Sequence, residues 1–278
     1  MADDRVTLRF WGARGTVPCP SADHLRYGGN TSCLSLALGP HEHLILDCGS
    51  GLRMLGRELG PPVAGVARRF HVLLSHFHFD HLEGLPYFPP LYDAGSRFTF
   101  YGFDPEGSTI RRALEDFVRA PYFPVSLAGA PAVREYVRVS REPLALGALR
   151  AASLPLNHPD GCLAWRLDHG GRRVVYATDH EHGDSEIDVA LERFSEGAEL
   201  LVYDATYIPS EYESLRRGWG HSTWYAGVAL AKAARVKKLL LFHHHPDHTD
   251  DELDRLLAFA CAEFPATEIA REGMTCPF

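Results

Sequence analysis

Three histidines and an aspartate stand within six residues of one another at the end of FHVLLSHFHFDH, which runs from Phe70 to His81. The apolar run that precedes them predicts a strand, so His76, His78, Asp80 and His81 stand at its mouth rather than inside it. Imidazole nitrogens and a carboxylate oxygen are metal ligands. Residues two apart project to the same side of an extended chain, so His76 and His78 can grip one ion together. Asp80 and His81 fall past the strand end, where they can hold a second ion about 3.5–4 Å away, as in two-metal hydrolytic sites. A merely solvated loop would need a separate reason for each histidine, whereas a metal pair accounts for all of them at once.

Single ligand-type residues recur where later strands should end. His158 closes LRAASLPLNH, Asp179 follows RRVVYAT and His243 follows VKKLLLF. If those strands are neighbours, all three point into one cleft. The distribution that satisfies two ions places His76, His78 and His158 on the first and Asp80, His81 and His243 on the second. Asp179 bridges them, and water fills the remaining positions. His243 is preferred to His244 because it follows LLLF directly, which leaves His244, His245, Asp247 and His248 around the ligands or on the surface.

The elements that must position these residues are legible as a coarse pattern. VTLRFWG, TSCLSLALG, HLILDCGSG and FHVLLSH are strand-like runs punctuated by glycine, and they predict a meander of mostly antiparallel strands. A helix is expected after Gly51 (LRMLGRELG) and another over Ser108 to Arg119, with Ser108 as its N-cap. The second half repeats the theme. LRAASLPLNH, CLAWRLDHG, RRVVYATDH and ELLVYDATY read as strands, WYAGVALAKAARV and DDELDRLLAFACAEF as helices. Two strand-rich halves with accompanying helices predict an α/β sandwich of four layers, with helices outside two packed sheets. At 278 residues and 45% hydrophobic content, one domain over 1–278 is expected.

The formal net charge of −8 argues against a broad basic face for long nucleic acid. No run reaches the roughly 18 apolar residues of a membrane helix, and the start MADDRVTLRF is acidic where a signal peptide would be basic. A soluble, cytoplasmic protein without a membrane partner is the expectation. The six cysteines form no C-x-x-C pair and read as reduced, mostly buried thiols. Cys162, four residues after His158, is the one nearest a candidate ligand in sequence. LPYFPPLYD, FTFYGFD and APYFPV make residues 85–124 rich in aromatics and proline. Such rings wall a pocket that stacks on a flat group, or form rigid core or an oligomer contact of the kind that builds a homodimer.

SHFHFDH resembles the H-x-H-x-D-H signature of the metallo-β-lactamase superfamily, with the later His, Asp and His in that superfamily's order. The resemblance spans nearly the whole chain. It implies an αββα sandwich of two mixed sheets and a dinuclear site holding two Zn2+, with manganese or iron as substitutes. WGHSTWYAGVALAKAARVKKLLLFHH and YDATY further resemble segments of the RNase Z and small phosphodiesterase branch. That likeness implies that His221 steadies the phosphate and protonates the leaving oxygen. Asp204 stands where the branch commonly has glutamate, so its reach to His221 is open. GARGTVPCP and RYGGNTSC resemble the opening of a bacterial subgroup of the same branch and could lend backbone N–H groups to a phosphate.

The implied activity is hydrolysis of a small phosphodiester, such as a cyclic or short nucleotide, by hydroxide held on the metals. His221 acts as general acid and Asp80 or Asp179 steers the nucleophile. A thioesterase or lactonase of glyoxalase II type shares all seven ligands and is the alternative, along with a nucleotide sensor that does not catalyse. The chain has no glycine-rich basic insertion like the arm with which RNase Z holds tRNA. With the acidic net charge, this favours a small-molecule phosphodiester and no long nucleic acid.

Overall fold

The computed structural model describes residues 6–63 and 65–278. The expectation drawn from the acidic start concerns in part Met1–Arg5, which lie outside the described residues. No helix among those described is long and apolar enough to cross a membrane.

Alternation at period two builds the layers. In the strand Arg172–Ala177, Val174 and Tyr176 face one core while Val175 and Ala177 face another, and in Glu42–Leu46 the flanking leucines and Ile45 divide in the same way. The strands β1 (Thr7–Gly12), β2 (Cys33–Gly39), β3 (Glu42–Leu46), β4 (Arg69–Leu73), β5 (Arg97–Gly102) and β6 (Val133–Arg138) belong to one sheet. A second sheet contains β7 (Leu144–Leu146), β8 (Leu149–Leu156), β9 (Cys162–His169), β10 (Arg172–Ala177), β11 (Leu200–Asp204), β12 (Leu239–Phe242) and β13 (Thr267–Ile269). The last strand, β14 (Thr275–Pro277), returns to pair with β1. The inner faces meet around Phe10, Leu46, Trp165, Tyr176 and Phe242. Trp165 is fully buried, and its indole N–H donates to the Leu74 carbonyl at 3.0 Å, joining the two sheets directly below the histidine cluster.

Helices cover the outer faces. Those of the first half are α1 (Leu52–Leu59) and α2 (Ile110–Phe117), those of the second α3 (Ser185–Ser195), the single turn α4 (Pro209–Glu211) that runs into a π-turn at Tyr212–Arg216, α5 (Trp224–Ala233) and α6 (Asp250–Glu263). Leu52, Leu55, Ile110 and Leu114 pack on Ile45, Phe70, Val72 and Phe98. Val228, Ala231, Leu253 and Leu256 pack on Val175, Leu201 and Leu241. The two mixed sheets flanked by helices are the expected four layers.

Several expectations need correction. The first sheet is mixed: β14, β1, β2 and β3 pair antiparallel, as a meander would, but β3, β4, β5 and β6 run parallel. The crossover through α1 returns the chain in the same direction, which no hairpin could do. Thr109, not Ser108, caps α2, accepting from the Arg112 N–H at 3.2 Å. Much of the aromatic stretch is core, since Phe88, Phe98 and Phe100 are buried beneath α1 and α2.

Candidate metal centre

Strand ends gather the ligands. The loop after β4 carries His76, His78, Asp80 and His81. β8 leads to His158, β10 to Asp179, and β12 ends one residue before His243. The parallel strands β3, β4, β10, β11 and β12 deliver their carboxyl ends to one edge, where crevices form in such sheets. Asp179 and His243 leave their strands with φ of 52° and 60°, and Asp47, after β3, has 58°. This left-handed kink favours Asp and His among non-glycine residues and turns each side chain into the cleft. Gly15 closes the same edge from the N-terminal loop, because a Cβ there would lie 2.2 Å from the His243 ring.

The hydrogen-bond network places the imidazole protons. Ser75 Oγ donates to Asp47 at 2.7 Å and so accepts from His76 Nδ1 at 3.0 Å. His81 Nδ1 donates to Asp47 at 2.8 Å, and His158 Nδ1 donates to the Gly220 carbonyl at 2.7 Å. Thr206 Oγ1 donates to Asp204 at 2.8 Å and accepts from His243 Nδ1 at 2.9 Å. Each ring therefore turns a bare Nε2 lone pair inward, the tautomer that second-sphere partners impose on metal-bound histidine.

Those lone pairs converge on one another. His81 Nε2 lies 3.3 Å from His243 Nε2, and His158 Nε2 lies 3.1 Å from His78 Nδ1. Asp80 Oδ2 is 3.1 Å from His243 Nε2. Facing lone pairs repel at such distances unless a cation lies between them. The separations match the roughly 3.3 Å edge of a tetrahedron whose ligands sit about 2.0–2.1 Å from a central ion. His76 Nε2 is buried and has no hydrogen-bond partner, as expected of an atom reserved for a metal.

Asp179 spans both groups. Its Oδ1 is 3.2 Å from His81 Nε2 and 3.4 Å from His243 Nε2, and its Oδ2 is 3.6 Å from His76 Nε2 and 3.8 Å from His158 Nε2. Burial pushes this carboxyl up, but His243, His81 and His76 in their protonated forms outweigh it and hold it well below the usual range, a part that cations would take over when the rings are neutral. The residues fit two divalent ions: the triads His76/His78/His158 and Asp80/His81/His243 each bring three ligand atoms within 4.8 Å.

His221 stands beside this cage. Its ring stacks on His243 with centroids 4.9 Å apart, and Nδ1 lies 2.8 Å from Asp204 Oδ2. Asp204 also accepts from the Thr206 N–H at 2.9 Å, so aspartate at this position reaches His221 and is itself fixed. Burial pulls His221 down, but the charge and hydrogen bond of Asp204 outweigh it and hold the ring up at about 9 in the field of the protein's own groups. Cations in the adjoining cage would draw it back toward neutrality.

Other candidates take different places. The N-terminal loop spends its Thr16 N–H on Asp80 Oδ2 at 2.7 Å, so that group orients a ligand. His244 turns away and meets the Ala270 carbonyl at 3.0 Å, and burial, with Arg14 nearby, pulls it down to about 3. Cys162 is buried with Sγ 3.9 Å from His76 Nδ1, and thus behind the ring rather than on its ligand side.

Sequence reasoning missed Asp47, Thr206 and Arg14. Asp47 follows HLIL as Asp179 follows VVYAT, so the strand-end signal was present. It accepts from Ser75 N, Ser75 Oγ, His81 Nδ1 and Tyr176 OH, all at 2.7–2.8 Å. Asp47→Ala should weaken metal affinity about 10–100-fold, because His81 loses the partner that fixes its tautomer. Competition with a chelator measures this, and unchanged affinity would show that Asp47 supports the fold alone. Arg14 is fully buried and ties the glycine loop to the segment after His243, donating to the His248 carbonyl at 2.6 Å and pairing with Asp250 at 3.3 Å.

Residues 42–244 match the model of the beta-lactamase superfamily domain. A ribonuclease Z of Brevibacillus brevis is 38% identical over a segment covering 36% of this chain and 31% of that protein. A ribonuclease Z of a Bradyrhizobium species is 28% identical over 95% of this chain and 97% of its own. Among solved structures, the metallo-beta-lactamase fold protein YhfI of Bacillus subtilis is similar with a TM-score of 0.74, at 22% identity over 99% of this chain and 100% of that one. The short form of human tRNase Z is similar with a TM-score of 0.65, at 17% identity over 97% and 98%. Relatives named as ribonucleases overturn the expectation of a small-molecule partner and no long nucleic acid. That expectation rested on the missing basic arm and on summed charge, and summed charge is a poor guide because the attraction of a phosphate chain depends on local cations at the cleft.

Proposed function

The chain belongs to the beta-lactamase superfamily, and from that membership we propose that it is a two-metal phosphodiester hydrolase in which His221 is the general acid. The family points to a metal-dependent hydrolase; the phosphodiester bond is the finer reading. The observation that carries it is the Asp204–His221 pair, 2.8 Å apart, standing against the ligand His243. Hydrolysis of a thioester or an activated lactone has no need of a strong proton donor, whereas an alkoxide leaving a phosphate does.

His76, His78 and His158 would hold one ion and Asp80, His81 and His243 the other, with Asp179 placed to serve both. When bound, such ions neutralise phosphate oxygens and make a water acidic enough to serve as nucleophile near neutral pH. The protein's own groups do the rest. Thr16 N–H fixes Asp80, whose carboxylate, with that of Asp179, orients the attacking water. Asp204 accepts a hydrogen bond from His221 Nδ1–H, which leaves the Nε2 proton of the charged ring for the leaving oxygen, with the side chain 13% exposed. Stacking on His243 sets that ring's plane. Residues 1–278 act in this reading as one domain, with ligands drawn from both halves.

The test is metal content together with turnover of a panel: bis(p-nitrophenyl) phosphate, a cyclic mononucleotide, an RNA with a 3′ extension, an acyl thioester and a lactone. About two ions per chain and turnover of phosphodiesters above the carbonyl substrates is the expected result. Turnover confined to the thioester or lactone would overturn it.

A further inference from the structure

Beyond the metals and the proton donor, the lip of the cleft carries a feature without an assigned role. Trp219 is 55% exposed, one residue before Gly220, whose carbonyl holds His158. The guanidinium carbon of Arg216 lies 4.4 Å from the Trp219 ring centroid and 5.8 Å from that of Tyr207. Tyr207 in turn meets His221 at 5.9 Å and His245 at 5.7 Å between ring centroids. An unbroken series of flat groups therefore runs from the proton donor to the rim.

Charge singles out Arg216. Its neighbour Arg217 is paired with Glu213, but the Arg216 guanidinium has no carboxylate or hydrogen-bond partner among the described residues, while its carbonyl accepts from the Trp219 N–H at 3.2 Å. A half-buried guanidinium without an acid, beside a site that takes phosphate, is placed for an anion.

The arch is also held in advance. Glu181, buried two residues beyond Asp179, accepts from Gly218 N at 2.6 Å, Gly220 N at 2.8 Å and Tyr212 OH at 3.0 Å. Both ends of the segment are thus pinned to one carboxylate. Gly220 has φ of 82°, and a Cβ there would lie 2.3 Å from His158 Nδ1, so the turn that projects Trp219 follows the metal cage closely. A pre-formed platform binds without first paying to order itself.

We propose that the segment from Tyr212 to Gly220 is a nucleoside subsite, in which Trp219 stacks on the base flanking the scissile phosphate and Arg216 contacts the phosphate chain. An exposed indole beside a free guanidinium is the combination that single-stranded nucleotides meet in proteins, and it tolerates any base because every base has a flat face. The inference rests on the phosphodiester reading and narrows its substrates to those carrying a base next to the cleaved bond.

The experiment compares thymidine 5′-(p-nitrophenyl) phosphate with methyl p-nitrophenyl phosphate on the metal-loaded chain, alongside calorimetric binding of thymidine 5′-monophosphate and of inorganic phosphate. The wild type should favour the thymidine ester in kcat/KM, chiefly through KM. Trp219→Ala should lower that preference, and the ratio of nucleotide to phosphate affinity, about tenfold. Trp219→Phe should restore most of both, and Arg216→Ala should raise KM for the thymidine ester. No preference in the wild type, or a preference that survives Trp219→Ala, overturns the subsite. Turnover of neither ester with Trp219-dependent nucleotide binding would sink the phosphodiesterase and keep the subsite; turnover of both without that dependence does the reverse.

Discussion

Asp179→Ala is expected to leave the chain unable to retain its two ions through chelator washing, and to lower phosphodiester turnover by about a thousandfold or more. One carboxylate serves both triads here, Oδ1 within 3.4 Å of His81 and His243 and Oδ2 within 3.8 Å of His76 and His158. Its removal takes an oxygen from each ion and one negative charge from the pair, while the imidazole lone pairs remain turned inward against one another. Two ions supply several kcal/mol of transition-state charge stabilisation, and each 1.36 kcal/mol is about a factor of ten in rate. Asp179→Asn separates charge from shape. The amide keeps the volume but offers one oxygen and an N–H, so one ion should survive better than the other. Metal analysis of the washed protein reads both variants, with circular dichroism to confirm that each is folded. An alanine variant that still holds two ions would remove Asp179 from the bridging position.

The clustering of the candidate ligands was legible because its signal is local. Three histidines and an acid within six residues, and single ligands after apolar runs, survive in one dimension. Pairing direction did not, since a parallel crossover and an antiparallel meander use the same alternating strands, and only the path of α1 separates β3 and β4 into a parallel pair. Asp47 shows the opposite failure. It carries the same strand-end position and the same left-handed φ as Asp179, yet its role shows only in its hydrogen bonds to Ser75, His81 and Tyr176. Arg14 and Glu181 were beyond reach for another reason. Most of their partners are backbone atoms of distant loops, the His248 carbonyl in one case and the Gly218 and Gly220 N–H groups in the other, and no side-chain pattern records those. The aromatic stretch misled because its rings mix two destinations. Phe98 and Phe100 are buried core, whereas Tyr87 and Tyr122 lie 57% and 80% exposed.

His221→Ala should lower turnover of a substrate with an alkoxide leaving group about 10²–10⁴-fold, while the protein keeps about two ions per chain. The split follows from position. His221 stacks on His243 at 4.9 Å but spends Nδ1 on Asp204, so its loss removes a proton donor and leaves the seven expected ligands in place. The size of the defect should depend on the leaving group. A p-nitrophenolate departs without protonation, so bis(p-nitrophenyl) phosphate should lose far less than a nucleotide ester. Asp204→Ala should give a similar selectivity for alkoxides with a larger structural cost, because Thr206 N, Thr206 Oγ1 and Ser222 N all donate to that carboxylate in a buried site. Steady-state kinetics across leaving groups of graded acidity, with metal content measured on the same samples, decide the matter. A uniform loss across leaving groups would assign His221 to steadying the phosphate rather than to proton transfer, since an electrostatic contact stabilises every phosphorane alike and only a proton donor distinguishes one departing oxygen from another.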